Sequence, residues 1–139
     1  MKIKLFDNIQ LPKKSHLPDS GLDCFMPKSF SLKPFETKTI GLGFGIQVPE
    51  GFAGMLVPRS SIAEQGLIIQ TSIIDPDYTG EIHLIITNCN DRIVNIDKNQ
   101  RVCSLVIYNV LNVRLDIVYE FEKTERGSNG LGSSGKWLY

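Results

Sequence analysis

Short segments in which every second residue is apolar constrain the fold of this chain more than any other feature. Such alternation runs over residues 2–5, 38–48 and 101–110, and residues 81–87 and 93–96 are rich in β-branched side chains. Period two is the pattern of a strand that buries one face. Proline, glycine, aspartate and asparagine separate the segments, as turns require. The sequence therefore predicts an all-β fold: a sandwich, a barrel or a jelly roll.

Helix signals are confined to one place. Residues 60–65 begin with serine, carry a glutamate and are followed by Gly66, which predicts about one helical turn. With 139 residues and 42% hydrophobic composition, the chain is expected to form one compact domain with a real core.

The balance of charge excludes some partners. Fifteen basic and fifteen acidic residues cancel, and binding to long nucleic acids depends on an excess of Lys and Arg, so no nucleic acid partner is expected. No run approaches the roughly 18 apolar residues of a membrane-spanning helix, and residues 1–10 do not resemble a signal peptide. We expect no membrane association and a soluble intracellular protein, cytoplasmic in location, with a viral or phage origin also compatible.

The three cysteines and two histidines show no metal-ligand spacing, and the cysteines are interpreted as reduced thiols in a core. The composition changes near Lys123, after which residues 123–135 include several Gly and Ser and almost nothing to bury. We therefore predict a β-domain over residues 1–122 and a flexible C-terminal segment over residues 123–139. That segment could cover an anion, or it could be a disordered terminus.

Two segments and two single residues carry candidate chemistry, each with a plainer alternative. Residues 58–66 (PRSSIAEQG) combine an arginine with two hydroxyls, which suits a phosphate or a simple helix cap. Residues 73–82 (IIDPDYTGEI) are predicted to be a hairpin of two strands joined by a tight turn, whose carboxylates could accept a proton from water or could only shape the turn. Asp23 could be a turn residue or a carboxylate near a metal. His83 could lie on the surface or contact a substrate.

The order of these segments resembles the trimeric dUTP pyrophosphatase family over about residues 20–135. Five motifs follow one another: SGLDCF at 20–25, PRSSIAEQG at 58–66, IIDPDYTGEI at 73–82, NQRVCSL at 99–105 and RGSNGLGSSG at 126–135. The resemblance implies a jelly-roll-like β-barrel, a homotrimer with active sites shared between subunits, a Mg²⁺ cofactor and hydrolysis of dUTP to dUMP and pyrophosphate.

The resemblance also implies roles for individual residues. Asp75 would be the general base that activates water, and Tyr78 would stack on the deoxyribose. Backbone groups around Ile73 and Ile74 would read uracil, and Asp23 would help to hold hydrated Mg²⁺. The other residues expected to bind substrate are Arg59, Ser60, Ser61, Gly66, Ser72, His83, Ser104, Arg126, Leu131, Gly132, Ser133 and Ser134.

The chain departs from the family pattern at Gln70, Ser72 and Asn99, where glycine is usual, at Ser104, where glutamine is usual, and at Leu131, where an aromatic residue is usual. Loss of the stacking ring at position 131 is expected to cost about 0.5–1.5 kcal/mol of binding.

Three other functions are alternatives for a chain with this fold. A dCTP deaminase shares the fold, but its chemistry needs a glutamate where this chain has Ile85. A non-catalytic nucleotide-binding or regulatory module of the same fold would be compatible with the departures. A structural or coat domain would share the fold but would leave the ordered motifs unexplained.

Overall fold

The computed structural model describes residues 1–130, and the expected all-β fold is confirmed there. The strands are β1 (Lys2–Leu5), β2 (Gly21–Phe25), β3 (Phe30–Leu32), β4 (Thr37–Gly41), β5 (Phe44–Gln47), β6 (Phe52–Pro58), β7 (Leu67–Ile69), β8 (Ser72–Ile74), β9 (His83–Asn88), β10 (Val94–Ile96) and β11 (Arg101–Asn109). The predicted helical turn is α1 (Ser60–Ala63), between β6 and β7.

Within residues 1–130 the strands pair antiparallel in four sheets. The largest has the order β2-β11-β6-β8, a second has the order β4-β9-β7, and β1-β5 and β3-β10 form two-stranded sheets. This arrangement is consistent with the expected jelly-roll-like fold, although residues 1–130 form separate sheets rather than one closed barrel.

Alternating strand faces build a single core. In β9 the side chains of Leu84 and Ile86 are fully buried, while His83 on the other face is exposed. In the same way β6 buries Leu56 and β11 buries Leu105. Each such side chain contributes about 1.5–3 kcal/mol when it leaves water. The alternating burial along β9 is what the sequence analysis expected of a strand that buries one face.

The alternating segment at 38–48 contains two strands, and the hairpin expected at 73–82 is not formed. Residues 38–48 form β4 and β5, which are separate strands in different sheets, because the chain turns at Gly43 with a φ of 77°. Residues 73–82 do not form a hairpin: β8 pairs with β6, whereas β9 pairs with β4 and β7. The turn between β8 and β9 therefore crosses from one sheet to another.

The cysteines were expected in the core, and two of the three lie there. Cys24 and Cys103 face each other across β2 and β11 and are buried, whereas Cys89 is exposed. A hydrogen bond with Cys103 and burial raise the pKa of the Cys24 thiol, which therefore stays protonated.

Strand β11 ends at Asn109, and residues 111–130 are exposed without strand or helix. The division at residue 122 stays a prediction. Within residues 1–130, no helix has the length and hydropathy to cross a membrane. The cytoplasmic location also stays a prediction.

Candidate functional site

An open cleft of about 230 Å³ lies where β8 leaves its sheet and β9 begins, and we name it the Asp75 cleft. It is lined by Ser72, Ile73, Ile74, Asp75, Tyr78, Glu81, Ile82, His83 and Ile85. Asp75 directly follows β8, and its carbonyl accepts a hydrogen bond from the Tyr78 N–H at 3.2 Å. This tight turn places an exposed carboxylate beside an aromatic ring in one cleft.

The side chains of Tyr78 and His83 are both fixed by the carbonyl of Glu81. The Tyr78 hydroxyl donates to it at 2.6 Å, and His83 Nδ1 lies 2.9 Å from it. Because a carbonyl oxygen only accepts, Nδ1 of His83 carries the proton, and in the neutral ring Nε2 is left as an acceptor. The Glu81 carboxylate accepts from the Gly43 N–H at 2.8 Å and ties the loop to the β4–β5 turn.

A second open cleft, of about 380 Å³, surrounds the Asp23 carboxylate and is named the Asp23 cleft. It is lined by Ser15, His16, Asp19, Gly21, Asp23, Arg59, Arg101 and Ser104. Asp23 is nearly buried in β2, and four side chains donate to it. Arg59 and Arg101 form ion pairs with its two oxygens. The cleft therefore presents two guanidinium groups, which suits an anion.

Burial favours the protonated form of Asp23, whereas its hydrogen-bond and ion-pair partners favour the ionised form. Hydrogen bonds from Ser15 and Arg59, the charge of Arg59 and the hydrogen bond from Arg101 together outweigh the burial and hold the pKa of Asp23 below its ordinary value. Asp23 is therefore ionised at neutral pH.

The two clefts lie far apart in one chain. Ile74 pairs with Gly54 in β6, so Asp75 lies beside Ala53, whereas Arg59 follows the other end of the same strand. Six residues separate those two positions, which at about 3.3–3.4 Å per residue is about 20 Å. The clefts also share no lining residue. A single chain thus holds the Asp75 carboxylate and the two guanidinium groups in two separate clefts.

The structure brings most of the predicted residues into these clefts, but not all. Ser60 and Ser61 lie on α1 beside Arg59, and neither hydroxyl caps the helix. Gly66 follows α1, and its carbonyl accepts from the Cys89 N–H at 2.9 Å. Arg126 is exposed outside both clefts, with Nε donating to the Asn129 carbonyl at 3.0 Å. Leu131, Gly132, Ser133 and Ser134 lie outside the described residues.

Five polar residues that line the two clefts were not among the predicted site residues: Ser15, His16, Asp19, Glu81 and Arg101. Ser15 and Arg101 contact Asp23, and Glu81 fixes the Asp75 loop. Arg101 lies within the motif at residues 99–105, and Glu81 within that at 73–82, so motif membership was the available signal. Nothing in the sequence pattern marks Ser15, which approaches Asp23 only because Lys13 bridges to Asp23.

Comparison with known proteins gives a consistent result. The family model described as dUTPase matches residues 7–135. A protein of Hydrogenobaculum sp. is 36% identical over 136 residues, which cover 95% of this chain and 94% of that protein. A protein of Trichodesmium erythraeum is 34% identical over 139 residues, covering 97% and 98% of the two chains. Both are named deoxyuridine 5'-triphosphate nucleotidohydrolase.

A solved structure shares the fold over nearly the whole chain. It is a dUTPase of Staphylococcus bacteriophage 80alpha with dUpNHpp, and it superposes with a TM-score of 0.90 at 29% identity. The match covers 96% of this chain and 97% of the phage chain.

Proposed function

This chain belongs to the dUTPase family, and from that premise we propose that it hydrolyses dUTP to dUMP and pyrophosphate at a site to which both clefts contribute. The observation that carries the proposal is the pairing, at the sheet-to-sheet turn, of an exposed Asp75 carboxylate with a Tyr78 ring whose hydroxyl is already anchored. The relatives named above act on deoxyuridine triphosphate by name, and the phage structure holds dUpNHpp.

Asp75 is proposed as the general base. Its carboxylate takes a proton from a water molecule, the water oxygen bonds to the α-phosphorus, and the bond to the β-phosphate oxygen breaks so that pyrophosphate leaves. The short turn from Asp75 to Tyr78 supports this role, because a base must be held in place relative to the substrate.

Tyr78 is proposed to select deoxyribose. The Tyr78 hydroxyl donates a hydrogen bond to the Glu81 carbonyl, so the side chain presents the face of its ring, and no polar group, to the sugar. A ring held in this way would leave no space for a 2′-hydroxyl. The exposed His83 beside it offers Nε2 as an acceptor in the same cleft.

Uracil recognition is proposed for β8. Strand β8 lies at the edge of its sheet and pairs only with β6. The N–H and C=O groups on its other edge therefore form no hydrogen bonds within the sheet, and they lie on the side of the cleft. Fixed N–H and C=O groups of Ser72, Ile73 and Ile74 can match the edge of uracil and reject the amino group of cytosine.

The triphosphate is proposed to occupy the Asp23 cleft of a neighbouring subunit. Arg59, with Ser60 and Ser61 next to it, and Ser104 supply cationic and hydroxyl groups there. Arg126, Gly132, Ser133 and Ser134 are proposed to cover the γ-phosphate, with Leu131 over the base. The separation of about 20 Å derived above supports a site shared between chains.

A homotrimer is proposed, and residues 111–121 support association. The apolar side chains at 111, 113, 115, 117, 119 and 121 alternate as in a strand, and all are exposed, with Leu115 at 90% and Ile117 at 100%. Such a row is unfavourable in water and suits pairing with a second copy of the chain.

The metal is proposed to be Mg²⁺ bound to the triphosphate as part of the substrate. Residues 1–130 contain no group of three or more His, Cys, Asp or Glu that could hold an ion. Mg²⁺ keeps several waters and binds phosphate oxygens, so it needs no protein cage. The resemblance implies that Asp23 helps to hold the hydrated metal. Four side-chain donors already contact its carboxylate, so Asp23 does not fit the role of a direct metal ligand.

Pyrophosphate release from dUTP, dCTP, dTTP and UTP, in Mg²⁺ and in EDTA, tests the proposal. Fast metal-dependent release from dUTP alone is expected. If no pyrophosphate is released from any nucleotide, the non-catalytic nucleotide-binding module is the remaining interpretation. Release of ammonia from dCTP would indicate a deaminase, although Ile85 in the Asp75 cleft disfavours that activity.

The base assignment is tested by Asp75→Asn against Asp77→Asn. Both acids are exposed on the same turn, but Asp77 lines neither the Asp75 cleft nor the Asp23 cleft. Asp75→Asn should lower turnover by about 10³-fold or more and leave dUpNHpp binding intact, whereas Asp77→Asn should behave as wild type. Full activity of Asp75→Asn would refute the assignment.

A further inference from the structure

We propose that Asp23 is a positioning residue that holds Arg59 and Arg101 for the polyphosphate, and that it is not a ligand of the metal. This inference rests on the proposed function, because it concerns the same phosphate-binding cleft. It changes the role of Asp23 and gives a role to Arg101 and Ser15.

The first observation is that the donors of the chain itself fill the Asp23 carboxylate. Oδ1 accepts from Nη1 of Arg59 and from Oγ of Ser104 at 3.2 Å. Oδ2 accepts from Oγ of Ser15 at 2.8 Å and from Nη1 of Arg101 at 3.0 Å. A carboxylate has about four lone-pair sites. A metal ion, or a water bound to one, would have to displace one of these donors.

The second observation is a β-bulge that brings Arg101 to this carboxylate. Ser104 pairs with Asp23 and Cys103 with Cys24, but the next pair is Arg101 with Phe25, so Val102 is an extra residue. Residues three apart in a regular strand point to opposite faces. The bulge places Arg101 and Ser104 on the same face, next to Asp23.

The third observation is that the two arginines keep donors for a ligand. Each uses Nη1 on Asp23, and Nη1 of Arg101 also donates to Oγ of Ser15 at 2.7 Å. A guanidinium group has five N–H donors, so most of them remain. The side chains are 28% exposed for Arg59 and 44% for Arg101. One carboxylate therefore fixes two cations whose free edges face the cleft, which is an arrangement that binds phosphate oxygens in fixed directions.

The other charged groups of the cleft do not take over this role. Oδ2 of Asp19 accepts from the His16 backbone N–H at 2.8 Å and is held in its own turn. Without Asp23, the two guanidinium groups would repel each other and lose their common anchor. The loss should therefore affect binding of the triphosphate itself, whether or not a metal is present.

The experiment measures binding of dUpNHpp and of dUMP to the full-length protein by calorimetry, in Mg²⁺ and in EDTA. Asp23→Asn and Arg101→Met should each weaken dUpNHpp binding by about 10- to 100-fold, by the same factor in both buffers, and should change dUMP binding much less. The concentration of Mg²⁺ that half-saturates turnover should not change. The control is Lys28→Met, which removes an exposed cation outside the cleft and should have no effect.

If Asp23→Asn loses dUpNHpp affinity only in Mg²⁺, the proposal is refuted and Asp23 acts through the metal. Wild-type binding by Arg101→Met would refute the role of Arg101. If Asp23→Asn does not fold, Ser15→Ala carries the test, with an expected loss of about 3- to 10-fold in both buffers. Failure of the wild-type protein to bind dUpNHpp at all would refute the proposed function and not this inference alone.

Discussion

The position of the Asp75 loop should depend on the absence of a side chain at Gly45. Gly45 lies in β5 with a backbone that any residue adopts, so only space restricts a substitution there. A Cβ atom would lie 2.4 Å from the carbonyl oxygen of Gly80 and 3.1 Å from the ring of Phe6. To restore even a tight contact of 3.0 Å, the Gly80 oxygen must recede by about 0.6 Å.

Gly80 immediately precedes Glu81, whose carbonyl anchors Tyr78, so this displacement moves the cleft. Overpacking costs about 1–3 kcal/mol of stability, and a misplacement approaching 1 Å costs up to about 10²-fold in rate. Gly45→Ala should therefore lower kcat by about 10- to 100-fold in the pyrophosphate-release assay, with a lower midpoint of urea unfolding.

The matched control is Gly51→Ala, the same chemical change in open space. No atom lies within 4 Å of a Cβ at Gly51, but its φ of 79° disfavours a side chain. This variant should lose about 1–2 kcal/mol of stability and keep its kcat. If Gly45→Ala has the kcat of the wild type, the contact with Gly80 does not set the loop position. If Gly51→Ala loses as much activity as Gly45→Ala, general destabilisation is the cause.

Three further predictions concern the core, the C-terminus and pH. Asn88→Ala should lower the free energy of unfolding by about 2–4 kcal/mol, measured in urea, because its buried amide donates to the carbonyls of residues 32, 33 and 92. Deletion of residues 126–139 should nearly abolish pyrophosphate release while the protein stays folded; unchanged kinetics would refute the lid. Because the folded-state pKa of Asp23 is lowered from 3.8, its stabilisation should be complete above that value and be lost as the pH falls below it. Urea unfolding between about pH 2 and 5 measures this loss, and Asp23→Asn should lack that component.

The strands could be predicted because burial of one face leaves a local mark in the sequence. The segment expected at 101–110 is β11 (Arg101–Asn109), which buries part of its side chains. The segment expected at 2–5 is β1 in full, although all four of its side chains are exposed in the single chain. Alternation records which face is buried but not which strand lies alongside. It therefore continues without interruption through Gly43, where β4 ends and β5 starts in another sheet.

The same limit explains the hairpin that was expected at 73–82. Two apolar segments joined by a short turn usually pair with each other. In this structure β8 pairs with β6, and β9 lies between β4 and β7. The pairing is therefore decided by segments that are distant in sequence. Six of the nine residues that line the Asp75 cleft were nevertheless predicted as site residues, because a turn brings its own residues together whichever sheets its flanking strands join.

The Asp23 cleft shows why a residue type can be predicted where its role cannot. The sequence indicates a carboxylate at position 23 and an arginine at position 59, but a carboxylate is equally suited to a metal and to a guanidinium group. The number of hydrogen-bond donors that contact the Asp23 carboxylate decides between the two roles. That number depends on one extra residue in β11. Without the bulge at Val102, strand alternation would turn Arg101 away from Asp23 and leave an acceptor open on the carboxylate. The role of Asp23 is thus set by strand register, which no local sequence pattern records.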